Sequence, residues 1–225
     1  MNILLMIVLF IAILYGITYL FTRTKTLSNY SETTKALSFP ANTLSDAAST
    51  NYSYSVWVYI TNWDNVNTKN IFKRSYTSGN STIYFPNVYL DTQDNKLMVK
   101  VSDNSTTGYT ECSVQNIPIQ TWTNIIVSLN TKVMDIYVNG KLMKTCITSG
   151  VPSFNKEGNV ELTPSPTFSG YTSRFIYYPY PTGPEDAWSL YKAGPGGNIL
   201  TAFLNQYKLK LSFLKGEEET ASITI

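Results

Sequence analysis

Apolar and polar positions fall into two regimes along the chain. Residues 3–21 read ILLMIVLFIAILYGITYLF without a charge. At ~1.5 Å per residue, a helix of that length covers about the 30 Å of a bilayer core. Residues 1–22 are therefore expected to form one transmembrane anchor, its length marked by Ile3, Leu9, Leu14 and Phe21. A signal peptide wants a basic leading region, a shorter apolar stretch and a small-x-small cleavage site, none of which is evident. Removal of the segment, or its burial in a core, are the alternatives. Residues 23–32 are polar with no apolar period and read as a tether, which leaves 33–225 for the folded domain.

Beyond the tether the pattern changes to short β-branched and aromatic runs. Residues 36–39 suit an edge strand stopped by Pro40, and 52–60 (YSYSVWVYI) an inner strand, apolar on both faces in its later part. Between 124 and 147, NIIVSLN, VMDIYV and KLMKTCI are separated by a tight turn at Thr131-Lys132 and by Asn139-Gly140. Asn-Gly supplies the two positive φ angles of a type I′ turn, so the last two runs are expected to pair as a two-residue hairpin. Ile136 and Val138 would share a face with Leu142, and Ile125, Val127 and Leu129 would complete the layer. Further strands are expected at 70–73, 87–90, 96–101, 159–162, 173–178 and 208–213. One short helix is foreseen, with Thr182 and Glu185 as a capping box and Gly194 as its stop. GPGGN at 194–198 follows that helix instead of opening one, so it reads as a cap and turn and not as a phosphate cradle.

The order of the pieces carries a resemblance. SYSVWVYI (53–60), NKLMVKV (95–101), IPIQTWTNIIVSLN (117–130), DIYVNGKL (135–142), FSGYTSRFIYYP (168–179) and EDAWSLYKAGP (185–195) together resemble the laminin-G-like branch of the concanavalin A superfamily. The resemblance runs from about Thr33 to the C-terminus. It implies an all-β fold, a two-layer antiparallel β-sandwich of jelly-roll type with one short helix. Such domains behind an N-terminal anchor are similar to ones encoded by large DNA viruses with an internal membrane. That likeness implies a minor capsid component at the interface of virion inner membrane and capsid, with the lipid bilayer and other capsid or virion proteins as partners. A membrane-displayed lectin or adhesion module, with glycans as partners, is the alternative.

Composition narrows the chemistry. The formal charge of +2 is too small and its Lys and Arg too scattered for a nucleic-acid partner. The chain has no histidine, which removes the commonest general base near neutral pH and the commonest zinc ligand. Glucanase relatives need an acid and a second carboxylate roughly 5 to 9 Å apart. Here Glu157 and Glu161 lie in a turn-like stretch, Glu185 and Asp186 at a helix start and 217–219 in an acidic turn, so no enzyme is expected. No cofactor is expected, calcium apart: Asp91, Asp94 and Asp103, with Asn104, are the calcium candidates, since some laminin-G-like domains hold the ion at a loop rim.

Among the aromatics, Trp57, Trp122 and Trp188 are expected in the core. Trp63, Tyr171, Tyr177, Tyr178 and Tyr180 are candidates for a stacking or protein-contact surface, with only one of Tyr177 and Tyr178 able to face inward. Cys112 and Cys146 fall near strands that suit neighbours, and either a bridge or two buried thiols fits. Arg23 and Lys25 follow the apolar run, and the positive-inside bias puts the C-terminal domain of a single-pass protein on the cytosolic side. The Asn-x-Ser/Thr triplets at Asn29, Asn51, Asn80 and Asn104 would then meet no glycosylation machinery.

Overall fold

The computed structural model describes residues 25–196 and the strands 210–215 and 218–224. The expected membrane anchor, with Ile3, Leu9, Leu14 and Phe21, lies outside the described residues. Among the described residues no helix is long and apolar enough to cross a membrane.

Two antiparallel sheets face each other. The strands are β1 (Lys25–Ser28), β2 (Ser31–Glu32), β3 (Leu37–Phe39), β4 (Tyr52–Asn62), β5 (Lys69–Ser78), β6 (Ser81–Leu90), β7 (Lys96–Ser102) and β8 (Tyr109–Gln115). They continue with β9 (Trp122–Asn130), β10 (Val133–Val138), β11 (Lys141–Ile147), β12 (Asn159–Leu162), β13 (Ser169–Tyr178), helix α1 (Pro184–Lys192), β14 (Lys210–Lys215) and β15 (Glu218–Thr224). One sheet runs β1-β13-β4-β9-β10-β11, with β2 also on β13; the other runs β3-β12-β5-β6-β7-β8; β14 and β15 form a hairpin. This is the expected all-β, two-sheet sandwich with one short helix.

The period of two fixes what enters the layer between the sheets. From β4 come Tyr52, Tyr54, Val56, Val58 and Ile60, and from β9 and β10 Ile125, Val127, Leu129, Met134, Ile136 and Val138. The opposite sheet answers with Phe72, Phe85, Val88, Leu90, Leu97, Val99, Val101, Val160 and Leu162. Tyr54 lies at the aromatic centre, its ring 5.2 Å from Phe72 and 5.1 Å from Tyr177. Arg74 is fully buried beside it, donating from Nε to the Gly158 carbonyl (3.1 Å) and from Nη2 to that of Ala47 (2.8 Å).

The Asn139-Gly140 turn forms as expected, with φ of 51° and 72°. Gly140 has a second duty, because a Cβ there would stand 2.9 Å from Cβ of Tyr191 on α1. The register corrects one pairing. Leu142 faces Tyr137, after a bulge at Ile136/Tyr137, so it leaves the face of Ile136 and Val138 and is exposed. The capping box is also corrected. Gly183 is the N-cap with no side-chain bond and Pro184 starts the helix, while the Thr182 N–H donates to Ser53 Oγ (2.7 Å) and Ser128 Oγ (2.9 Å). A buried N–H held twice by the sheet anchors the helix entry without a side-chain cap. Gly194, at φ 71°, follows the helix end as expected.

The tether expected over 23–32 gives way to strand where it is described. Lys25 pairs with Tyr177 and Thr26 with Ile176, while Ser31 and Glu32 pair with Thr172 and Tyr171. The backbone of β13 needs partners on this side, and a polar segment supplies N–H and C=O groups as well as an apolar one.

Cys112 and Cys146 are bridged, with Cα atoms 6.2 Å apart. They join β8 and β11, the last strands of the two sheets, and so staple the sandwich along one side. The two cysteines are 34 positions apart, and closing a loop of that length stabilises by about 3 to 4 kcal/mol through the unfolded chain. The double variant Cys112→Ser/Cys146→Ser should therefore lose roughly that much in denaturant unfolding. Reductant should shift the parent midpoint toward the variant's and leave the variant's own midpoint in place.

Candidate functional site

The outer face of the larger sheet is covered unevenly. Helix α1 lies over one part, where Ala187 and Leu190 pack on Ile126 and Tyr137, and Tyr191 stacks on Trp57 at 5.7 Å. Beyond the helix runs a ladder of four rings. Trp122 on β9 is directly opposite Tyr59 on β4, and Tyr59 is opposite Tyr171 on β13. Their centroids are 5.7 Å and 6.3 Å apart, and Tyr30, from the turn between β1 and β2, stacks on Tyr171 at 5.5 Å. Tyr59, Trp122 and Tyr171 are half-buried, and Tyr30 is 61% exposed. Cross-strand pairing places the rings in a row, and each keeps part of a face open to solvent.

Beside the ladder a bulge interrupts β13 between Ser173 and Ile176. Arg174 takes a left-handed φ of 46°, and its N–H donates to the Asn29 carbonyl (3.0 Å). The extra residue sends Ser173 and Arg174 to the same outer face and returns Phe175 to the core. Ser173 Oγ donates to the Pro195 carbonyl (2.7 Å) and Arg174 Nη1 to that of Gly194 (3.0 Å). Ser173, Arg174 and Pro195, with Asn29, Tyr30, Trp122 and Gly196, line a cavity of about 260 Å³. A second depression, about 370 Å³, is bordered by Tyr171, Glu32, Thr61 and Thr167, so the Tyr30–Tyr171 stack stands between the two.

The expected interaction surface divides. Tyr171 belongs to the ladder, whereas Tyr177 is fully buried and its hydroxyl donates to the Asp46 carbonyl (3.2 Å). Alternation decides this, since Tyr177 shares the inward face with Phe175. Tyr178 is also buried, its phenol pushed up to about 12 by burial, and packs on the half-exposed Tyr180 next to α1. Trp63 covers the Lys69 ammonium, 4.3 Å from its ring. Of the tryptophans expected in the core, Trp57 is buried, Trp122 joins the ladder and Trp188 is 42% exposed on α1. Tyr30, Tyr59 and Arg174 were not singled out by the sequence, because rings 112 positions apart meet only through strand pairing: Tyr59 and Tyr171.

The calcium candidates are not brought together. Among the described residues no group of three or more His, Cys, Asp or Glu is placed to hold a metal. The oxygens of the Asp91 to Asp94 turn already face cations: buried Lys69 donates to the carbonyls of Asp91 (3.0 Å) and Thr92 (3.1 Å), and Lys96 pairs with Asp94. Asp103 lies in another loop, where Asn104 Oδ1 accepts from the Val151 N–H (2.6 Å). Of the carboxylates weighed for hydrolysis, Glu161 pairs with Lys73 at 3.4 Å and Glu185 and Asp186 sit in the first turn of α1.

A family model described as the concanavalin A-like lectin/glucanases superfamily matches residues 31–176. Among solved structures, the receptor-binding domain of a botulinum neurotoxin C/D mosaic serotype is similar with a TM-score of 0.59 at 14% identity, over 77% of this chain and 46% of that one. The binding domain of botulinum neurotoxin DC in complex with rat synaptotagmin II gives 0.53 at 15% identity, over 76% and 46%. The chain thus spans less than half the length of these neighbours, and at such identity the likeness is one of fold. No curated protein matches the chain.

Asp103 is a structural carboxylate with a definite sign. Burial pushes its pKa up, and bonds from the Ser105 and Thr110 hydroxyls and the N–H groups of Ser105 and Gly150 outweigh that, leaving it below the usual carboxylate value. A depressed folded pKa stabilises above the unfolded value and loses that stabilisation as pH falls through the folded one. Asp103→Asn should cost about 2 kcal/mol at pH 7. The gap between parent and variant in urea unfolding should shrink steadily once the pH drops below about 4.

Proposed function

The chain belongs to the concanavalin A-like lectin/glucanases superfamily, and we propose that it is a non-catalytic recognition domain that binds glycans on the outer face of its larger sheet. The observation that carries this reading is the four-ring ladder of Trp122, Tyr59, Tyr171 and Tyr30, half-open beside a polar cavity. A pyranose ring offers C–H groups on its faces and hydroxyls on its rim. Aromatic faces, negative at the centre, attract the former, and amide, hydroxyl and guanidinium groups take the latter. A site with both kinds of wall along one line suits a sugar chain better than a globular protein, which wants a broad apolar patch.

The reading keeps the membrane anchor expected at 3–21 and reverses the side on which the domain stands. The Cys112–Cys146 bridge supports an oxidising compartment, where such bonds persist. Lys25, one of the two charges behind the cytosolic placement, is committed to strand β1. Recovery of the chain from its native membrane with both thiols free would overturn this placement. The virion-scaffold reading uses the same domain as a contact surface for capsid proteins, and it gives no use to the cavity beside the ladder.

The test is a glycan array probed with the full chain in detergent, followed by titration of the best glycan. Trp122→Ala and Tyr171→Ala should each weaken binding at least about ten-fold, about 1.4 kcal/mol, with the melting temperature little changed. Silence across the array, or a glycan that binds both variants as well as the parent, rules the reading out.

A further inference from the structure

We infer that the cavity beside the ladder receives the carboxylate of an acidic sugar, with Arg174 as its counter-ion; this rests on the glycan reading above and names the class of glycan.

The first observation is an unneutralised cation. Arg174 is half-buried, and the ion pairs of the described residues are Lys73 with Glu161 and Lys96 with Asp94, so no carboxylate there answers its guanidinium. None of the described residues that line the cavity is acidic, and Asn29, Ser173 and Arg174 are among its polar side chains. Arginine stays protonated at any pH the fold meets, so the cavity carries a fixed positive charge in surroundings drier than water.

The second observation is how the guanidinium is held. Nη1 donates to the Gly194 carbonyl, and among the described residues no hydrogen bond is made by Nε or Nη2. The pair Nε and Nη2 forms the planar fork that a carboxylate meets with two parallel bonds. The bulge fixes this aim, since the backbone N–H of Arg174 is bonded to Asn29 and its neighbour Ser173 to Pro195. The side chain is therefore supported at both ends before any ligand arrives.

The third is size and neighbourhood. About 260 Å³ is the room of roughly nine waters at ~30 Å³ each, enough for one sugar ring with its acid group. Tyr30 and Trp122, ladder members, form its walls, so a chain lying along the rings would reach the cavity with one residue. A carboxylate is planar and takes the two-pronged fork edge-on, whereas a sulfate is tetrahedral and more often gains from several scattered cations. This cavity has one.

The experiment is calorimetric titration of the full chain with matched pairs: sialyllactose against lactose, methyl glucuronide against methyl glucoside, and sulfated lactose as a third arm. The parent should prefer the acidic member of a pair by at least about ten-fold at low salt, less at high salt. Arg174→Gln should bring that preference below about two-fold, the acidic member losing at least about five-fold more affinity than its neutral partner, a pattern that a merely misfolded site does not give. Arg174→Asn, better suited to a left-handed φ, guards against failure of the first variant to fold and should behave alike. Equal binding of acidic and neutral sugars by the parent overturns the inference and leaves glycan recognition standing. So does an acid preference that survives in both variants, or a stronger preference for the sulfated arm. Binding of none of these sugars by a chain that still binds its best array glycan overturns the inference alone, and silence of the array as well overturns both readings.

Discussion

A sandwich is held by one layer, and every second side chain of its central strands must enter it. That constraint sorts β4 completely: Tyr52, Tyr54, Val56, Val58 and Ile60 go in, and Ser53, Ser55, Trp57 and Tyr59 go out. Since the inward positions are filled by apolar groups, each outward aromatic is surplus to the layer and needs a partner of its own. Helix α1 provides one for Trp57 through Tyr191 and for Tyr137 through Ala187. Tyr59, Trp122 and Tyr171 lie beyond the helix, and among the described residues their ring partners are each other and Tyr30. The candidate site is thus the part of the outer face that the core did not need and the helix does not reach.

The strands that the sequence announces are those with a dense or strictly alternating apolar pattern. Residues 159–162 alternate and form β12 without a change of bounds, and the Asn-Gly turn forms with both positive φ angles. Strand β8 was missed because its inward face carries only two apolar side chains, Cys112 and Val114, set among polar residues. The same holds for β1 and β2, which contribute backbone groups to β13 and, from Leu27 alone, a side chain to the core. Edge strands are recruited by unpaired N–H and C=O groups, and a pattern of side chains does not report that demand. Leu142 fails for a related reason: a bulge between Ile136 and Tyr137 changes its partner, and bulges add a residue without a compositional mark.

The site was legible in part. Tyr171 is a surface aromatic as the sequence implies, whereas the cluster at 177–180 is conspicuous there because its rings are adjacent. Adjacency misleads in a strand, where neighbours face opposite ways; Tyr177 entered the core and Tyr178 was closed over by Tyr180. The rings that do assemble come from four separate elements, and register alone brings them into line. Arg174 was invisible for the same reason, since a strict period of two would have sent it inward if Ser173 faced out.

The bulge in β13 ties the site to the fold. A lone guanidinium in the aromatic centre of the layer costs several kcal/mol, and Arg74 already occupies a place there with carbonyls to receive it. One extra residue between Ser173 and Ile176 resolves the conflict: Arg174 turns out, and Phe175 and Tyr177 resume the inward positions where they pack on Tyr54. Deleting that residue would push two core rings to solvent or carry the charge inward, so selection for a stable core also maintains the aim of Arg174. The left-handed φ is a local cost, offset by the bond from its N–H to Asn29 and by the return of two aromatic rings to the layer. Because the bond to Asn29 comes from the turn between β1 and β2, the same turn that presents Tyr30, this polar edge segment completes both the ladder and the cavity wall.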